Sequence, residues 1–364
     1  MDYMNDTNTI EEKLMKIASQ KRRPINGSIE LLPLCNMNCD MCYVRLSKKE
    51  MEAQGRILSA DEWIKIGRQM KDAGVVFLLL TGGEPLLHPE FRKIFTELQK
   101  MGMVLTINTN GTLIDEQWAS FFLEHRPRRI NITLYGCDDD SYSNLCHYPG
   151  GFHKVIRGIE LLKKNNIDVK ISSSITKSNY KDIEKIIQIG NMLDVPVRID
   201  TYMMPSVRER NKPYNLQCRL DPITAARCRI SALRLEMGEE LYGEFVKKSL
   251  FELEHMVCEN IPGKMTCNAG KCSFTVNWQG YMRPCVIMSY PSLSVLDTSF
   301  EDAWTYIVEQ CEQIELSSIC NGCKKKKLCR TCAASALLET GNFNGTPQYM
   351  CDYTDETIRL MNDK

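Results

Sequence analysis

Three cysteines, Cys35, Cys39 and Cys42, stand in the run Cys-Asn-Met-Asn-Cys-Asp-Met-Cys-Tyr, directly after a stretch that reads as a strand. Thiolates at this spacing can hold three irons of a cubane cluster from a single loop. The fourth iron then has no protein ligand close in sequence, and such an open position is where a substrate can reach a metal. Zinc is the competing reading. A closed zinc site needs a fourth donor, and the first histidine that follows is His88. A second group of cysteines fills the C-terminal part: Cys267, Cys272 and Cys285, then Cys320, Cys323, Cys329 and Cys332, then Cys351. These could close two structural zinc sites or bind two further clusters.

The chain has 364 residues and 17 cysteines. An odd number cannot pair completely within one chain. Residues 1–23 mix acids, bases and polar side chains with no apolar centre, so no signal peptide is expected, and clustered cysteines then read as metal ligands rather than disulfides. The expected location is cytoplasmic. The longest clean apolar run, Val75 to Leu80, is far short of the ~20 residues of a membrane helix. Lys plus Arg and Asp plus Glu number 46 each, so no global field favours nucleic acid or an acidic membrane surface. Apolar residues at 43% and charged residues at 25% describe an ordinary globular protein with room for more than one domain.

The elements that must position these cysteines are legible as strand–helix alternation. Candidate strands are Ser28–Leu32, Val75–Leu80, Val104–Asn108, Arg129–Tyr135, Asp168–Ile175 and Val197–Thr201. Between them, Ser59 and Glu62 form a capping box, Pro89 suits the first turn of the helix through Phe91 and Phe95, and Val155, Ile159 and Leu162 recur at helical spacing. Six such units predict parallel strands in a doubly wound sheet or a partial barrel. Pro222 could open a helix, and the stretch from there to Cys258 reads as helical. Gly280 predicts a hairpin between Ser273–Trp278 and Tyr281–Val286. The expected organisation is an N-terminal extension over 1–26, an α/β core over 27–204, a helical bridging region over 205–264 and a small cysteine-rich domain over 265–364.

The cysteine loop ending in Tyr43 resembles the radical S-adenosylmethionine (SAM) superfamily. That resemblance implies a partial (β/α)6 TIM-like barrel and one 4Fe–4S cluster on Cys35, Cys39 and Cys42. It also implies SAM bound at the open iron and cleaved reductively to a 5′-deoxyadenosyl radical that takes hydrogen from substrate. Gly82-Gly83-Glu84-Pro85 resembles the family's motif for the SAM amino group, with Glu84 suited to the ammonium. Thr109 and Asn110 end the third strand near where SAM lies in the family. Thr133 on the fourth strand and Ser173 or Thr176 on the fifth could reach it, although polar residues at strand ends are common without any such role. One departure is plain: Asn144 to Tyr148 contains no arginine to hold the SAM carboxylate, so no carboxylate clamp is assigned.

The C-terminal pattern resembles the SPASM domain, an extension that carries two auxiliary 4Fe–4S clusters. The resemblance maps one cluster to Cys267, Cys285 and Cys332, with Cys272 or an open iron completing it. It maps the other to Cys320, Cys323, Cys329 and Cys351. The last short gap holds two residues where the family usually has three. The remaining Cys137, Cys146, Cys218, Cys228, Cys258 and Cys311 read as small buried hydrophobes, with Cys146 and Cys218 in loops where they could touch substrate. No general base can be nominated.

Such enzymes mostly modify peptides, so the resemblance implies a peptide maturase that cross-links or oxidises a ribosomally made peptide. A low-potential donor such as flavodoxin or ferredoxin would supply electrons. With a short N-terminal extension in place of a leader-binding domain, leader recognition would fall to another surface or a separate protein. A sulfatase-maturing enzyme is weakened as a reading because Val286 stands where those relatives carry aspartate. The sequence also admits a small-molecule radical SAM enzyme, and, from a different class, a non-catalytic electron carrier or zinc scaffold.

Overall fold

Six strands run in sequence as β1 (Asn26–Glu30), β2 (Phe77–Thr81), β3 (Val104–Thr109), β4 (Arg129–Thr133), β5 (Val169–Ser174) and β6 (Val197–Asp200). Three short strands follow: β7 (Ser273–Val276), β8 (Tyr281–Arg283) and β9 (Leu293–Ser294). The computed structural model describes residues 9–210, 213, 216–255, 261 and 263–363. Cys258 lies outside them.

All nine strands form one sheet in the order β6-β5-β4-β3-β2-β1-β7-β8-β9. Each of β1 to β6 pairs in parallel with its sequence neighbour. A doubly wound sheet would reverse its order partway. This one does not, so the (β/α)6 unit is a partial barrel. β7 then pairs in parallel with the free side of β1, and β8 and β9 continue antiparallel. The expected hairpin at Gly280 is present, and it extends the main sheet.

The helices form close to where the local signals place them, although Pro89 stands before the first turn rather than in it, since Glu90 is the N-cap of the Phe91–Lys100 helix. Ser59 Oγ accepts from Glu62 N at 3.3 Å while Glu62 Oε2 accepts from Ser59 N at 2.8 Å, closing the expected capping box. The helix that follows buries Trp63, Ile66 and Met70, and the Phe91–Lys100 helix buries Phe91, Ile94, Phe95 and Leu98. Val155, Ile159 and Leu162 line the buried face of the Gly151–Lys164 helix. Pro222 opens a helix to Met237, and Gly238, at φ +77°, breaks it from a second one, Glu239–Glu254.

Strand alternation then sorts the sheet's two faces. Leu78, Leu80, Leu105, Ile107, Ile130, Ile132, Ile171 and Ile199 are buried in the same core as the helix residues. The opposite face at the strands' C-terminal ends is half-open and polar, carrying Asn108, Asn131, Thr133, Ser172 and Ser174. Asn131 Nδ2 donates to Asn108 Oδ1 at 2.8 Å across it. An apolar core would not tolerate this stripe, whereas a polar occupant would.

Candidate active site

The cysteine loop leaves the C-terminal end of β1 and is stitched to three neighbours. Asn38 N donates to Cys146 O and Asp40 N to Leu145 O, both at 3.0 Å, and His147 Nε2 lies 2.8 Å from Asp40 Oδ1. On a second side, Gly83 N donates to Leu32 O at 2.7 Å and Glu84 N to Leu34 O at 2.9 Å. On the third, Arg210 donates to Cys42 O at 2.8 Å and also to Arg45 O. The loop is therefore held by main-chain and side-chain bonds that do not involve the thiols.

The glycine motif explains itself at this contact. A Cβ on Gly82, whose φ is +147°, would meet Leu32 O at 2.5 Å, and one on Gly83 would meet Leu34 O at 2.2 Å. Both glycines are needed for close approach to the cysteine loop's own backbone. Pro85, also buried, starts a short 3-10 turn.

Glu84 is fully buried and already engaged. Its Oε1 accepts from Leu86 N at 3.0 Å and Thr109 Oγ1 at 2.8 Å, and its Oε2 accepts from Asn110 N at 2.8 Å. Burial raises its pKa from the ordinary 4.5 to about 7, against the pull of these hydrogen bonds. Asn110 in turn sends Nδ2 to Asn36 Oδ1 at 2.8 Å and toward Cys35 Sγ at 3.6 Å. A chain of contacts thus runs from Glu84 through Asn110 to the first cysteine.

The three thiols lie within electrostatic reach of one another. Cys35 Sγ accepts from Met37 N at 3.4 Å and Cys42 Sγ from Arg45 N at 3.2 Å, the N–H···S bonds that favour thiolates. Burial, followed by the Glu84 charge, pushes the Cys35 thiol up to about 12, and burial raises Cys42 as well. Metal binding reverses this, because a coordinating thiol gives up its proton outright. The three thiols from one loop with amide donors at two of them fit a cluster.

Thr133 lies on the polar face, where its register partner on β5 is Ser172. Ser173 does not share that face. It pairs with Ile199, is buried beside Ile171, and its Oγ has no partner among the described residues. Ser172, Asn108 and Asn131 are not picked out by the sequence motifs: period-two alternation from Thr133 reaches Asn131, and only the strand registers add Asn108 and Ser172. Thr176 is committed elsewhere, since both its N and its Oγ1 donate to Asn179 Oδ1.

Two further features were invisible in the sequence. Arg208, at φ +47°, grips Glu30 at the end of β1 with two bonds of 2.7 and 2.6 Å, and both side chains are only 1% exposed. Arg208 also lies 5.4 Å from the centre of the Tyr43 ring, and Glu209 bridges to Arg283 on β8 at 2.8 Å. Tyr43 is therefore held under a guanidinium, and burial raises its phenol to about 12. The second feature is Cys146. It ends the Asp139–Cys146 helix with no exposed surface, and the thiol contacts Cys39 rather than an open substrate space. Cys218 is also buried, 3.9 Å from Met203 Sδ.

In the C-terminal part, Cys320, Cys323, Cys329, Cys332 and Cys351 line one cavity of about 530 Å³. Cys351 is coupled electrostatically to Cys329, Cys320 and Cys323. The Lys324–Lys327 run forms a short turn at this cavity, with Lys325 paired to Asp355 and Lys326 donating to Asn321 O at 2.9 Å. Cys285 is coupled to Cys332 and Cys267. Among the described residues no three Cys, His, Asp or Glu groups close on a point as a single ion would require. A cubane offers a separate iron to each thiolate and needs a wider set.

Residues 29–189 match the Radical SAM superfamily, so the chain carries a radical SAM domain. It is the domain of an enzyme that uses S-adenosylmethionine and a 4Fe–4S cluster, and the C-terminal cysteine-rich region fits auxiliary clusters. Over 335 residues the chain is 23% identical to an AdoMet-dependent heme synthase of Methanosarcina barkeri, covering 86% of this chain and 92% of that one. Its fold is similar to Streptococcus suis SuiB bound to precursor peptide SuiA, with a TM-score of 0.68 at 16% identity over 96% of this chain and 83% of SuiB. It is also similar to anSMEcpe with bound AdoMet and Kp18Cys peptide, with a TM-score of 0.69 at 18% identity over 94% of this chain and all of that one (100%). No helix among the described residues is long and apolar enough to cross a membrane.

Proposed function

We infer that this enzyme modifies a peptide, forming a cross-link or an oxidised side chain. The observation that carries the reading is the likeness to two peptide-bound proteins over 96% and 94% of this chain, which takes in the C-terminal cysteine region as well as the barrel. When bound, the cluster and SAM supply the radical that removes hydrogen from substrate. Cys35, Cys39 and Cys42 hold the cluster. Thr133 and Ser172 would offer polar groups to SAM along the open face of the sheet, while Asn110 is buried and tied to Asn36 beside Cys35. Glu84 acts mainly as a positioning residue, fixing Asn110 against Cys35 by its bonds to Asn110 N and Thr109. The ring of Tyr43, packed by Arg208, walls the site beside Cys42.

A second reading has its own support. The heme synthase relative aligns over 92% of its length, which favours a small-molecule substrate. Anaerobic protein with reconstituted clusters, SAM and dithionite separates the two. The assay is 5′-deoxyadenosine formed with and without short peptides encoded beside the gene, with the peptide mass followed in the same tubes. Peptide-dependent 5′-deoxyadenosine with loss of hydrogen mass from the peptide is expected, and both vanish with Cys39→Ala. Full SAM cleavage with every peptide unchanged, and turnover of an iron porphyrin precursor instead, overturns the peptide reading.

A further inference from the structure

Cys267, Cys285 and Cys332 need a fourth thiolate if they hold a closed cluster, and Cys272 is the nearest in sequence. The structure places Cys272 badly for that task. It has no exposed surface and belongs to a separate apolar cluster with Ala18 and Ile25, against Met15, Val76 and Phe77. Its carbonyl accepts from Ile25 N and Asn26 N, both at 3.1 Å, which pins it at the foot of β1. Its electrostatic neighbours are Lys271 and Cys267.

A different thiol stands where the fourth ligand is needed. Cys311 lies near the end of the Phe300–Gln313 helix, and the loop from Cys267 to Cys272 passes directly over it. At Gly270, φ is +66° and a Cβ would fall 2.4 Å from Cys311 Sγ, so the glycine leaves room for that sulfur. Cys311 is within electrostatic reach of both Cys267 and Cys285. It also sits in the main core, against which Cys285 and Cys332 pack. Burial of Cys311 alone follows from its place on the stripe Phe300, Trp304, Ile307 and Cys311. That stripe does not account for a thiol packed under a glycine within electrostatic reach of two others.

We propose that Cys311, and not Cys272, is the fourth ligand of the auxiliary cluster held by Cys267, Cys285 and Cys332. This rests on the reading of the C-terminal cysteines as iron–sulfur ligands. Ligation would cost Cys311 its proton.

The test uses the full chain carrying Cys35→Ala, Cys39→Ala and Cys42→Ala, so that only C-terminal clusters contribute. Iron content and the electron paramagnetic resonance spectrum of the reduced protein are compared for this parent, Cys311→Ser and Cys272→Ser, each checked for an unchanged far-ultraviolet circular dichroism spectrum. A serine oxygen in place of a ligand sulfur moves the cluster's signal, while serine at a packing position does not. The expected result is a moved signal, or loss of about four irons, with Cys311→Ser alone. Gly270→Ala, which pushes Cys311 aside without removing a thiol, reproduces the change. A change with Cys272→Ser, or no change with either serine, overturns the assignment. A parent that binds no C-terminal iron overturns the cluster reading beneath it.

Discussion

Replacing Glu84 by glutamine tests the buried carboxylate that ties Thr109 and Asn110 to the glycine motif. In the folded chain without its cluster, burial raises the Glu84 pKa from the ordinary 4.5 to about 7. Between those values the folded chain holds a proton that the unfolded chain has released, and proton binding favours the fold. The stabilisation is fully present below the unfolded value of about 4.5 and is lost as pH rises through about 7. The whole effect is about 3 kcal/mol. Glutamine resembles the protonated acid and has no such dependence. It keeps one oxygen for Leu86 N and Thr109 Oγ1 but turns an NH2 toward Asn110 N, which adds a constant cost of about 1–3 kcal/mol. Denaturant unfolding of both cluster-free proteins, under reductant from about pH 5 to pH 8, measures the difference. Glu84→Gln gains on the parent by up to about 3 kcal/mol across that window, with most of the change below pH 7.5. Parallel pH curves for the two proteins would refute a buried, proton-holding Glu84.

Arg208→Met leaves Glu30 buried without its partner, and breaking such a pair costs about 3–5 kcal/mol in denaturant unfolding; Glu30→Leu added to it recovers most of the loss. Gly83→Ala drives a Cβ against Leu34 O, which is backbone and cannot swing away, so the N-terminal cluster's iron is lost while C-terminal iron remains. Cys146→Ala removes a thiol beside Cys39; hydrogen bonds to cluster sulfurs help set the potential, so an anaerobic redox titration shows the N-terminal cluster harder to reduce. Cys228→Ala, buried elsewhere on the Pro222–Met237 helix, serves as the control and leaves that potential unchanged.

What can be read from the sequence is local. The sequence reads strands at Val104–Asn108 and Asp168–Ile175, within a residue of β3 (Val104–Thr109) and β5 (Val169–Ser174) at each end, and the Ser59–Glu62 box marks a helix start, because each depends on neighbours along the chain. The same locality finds Cys35, Cys39 and Cys42 as one set. It fails where partners are far apart in sequence. Nothing near Glu30 announces Arg208, and nothing near Cys267 announces Cys311. Glu84 is legible as a motif but not as a carboxylate already holding three donors. Ser173 and Ser172 are both strand-end serines, and only the register against Thr133 shows that Ser172, not the expected Ser173, faces the open side.

The position of β1 has a mechanical consequence. It lies between β2 and β7, hydrogen-bonded on both sides, with Ser28 Oγ and Thr275 Oγ1 2.8 Å apart across the second ladder. Gly27 makes room there for the Phe274 ring, whose nearest atom would be 2.3 Å from any Cβ at that position. A chain cut before residue 265 would strip this flank from the strand that feeds the cysteine loop. It would bare a row of unpaired peptide groups beside a trough shaped for phenylalanine, the kind of exposed edge that recruits other chains and aggregates. The cysteine-rich tail is thus no detachable appendage: it shields the barrel's first strand, and separately expressed halves would meet first as insoluble protein.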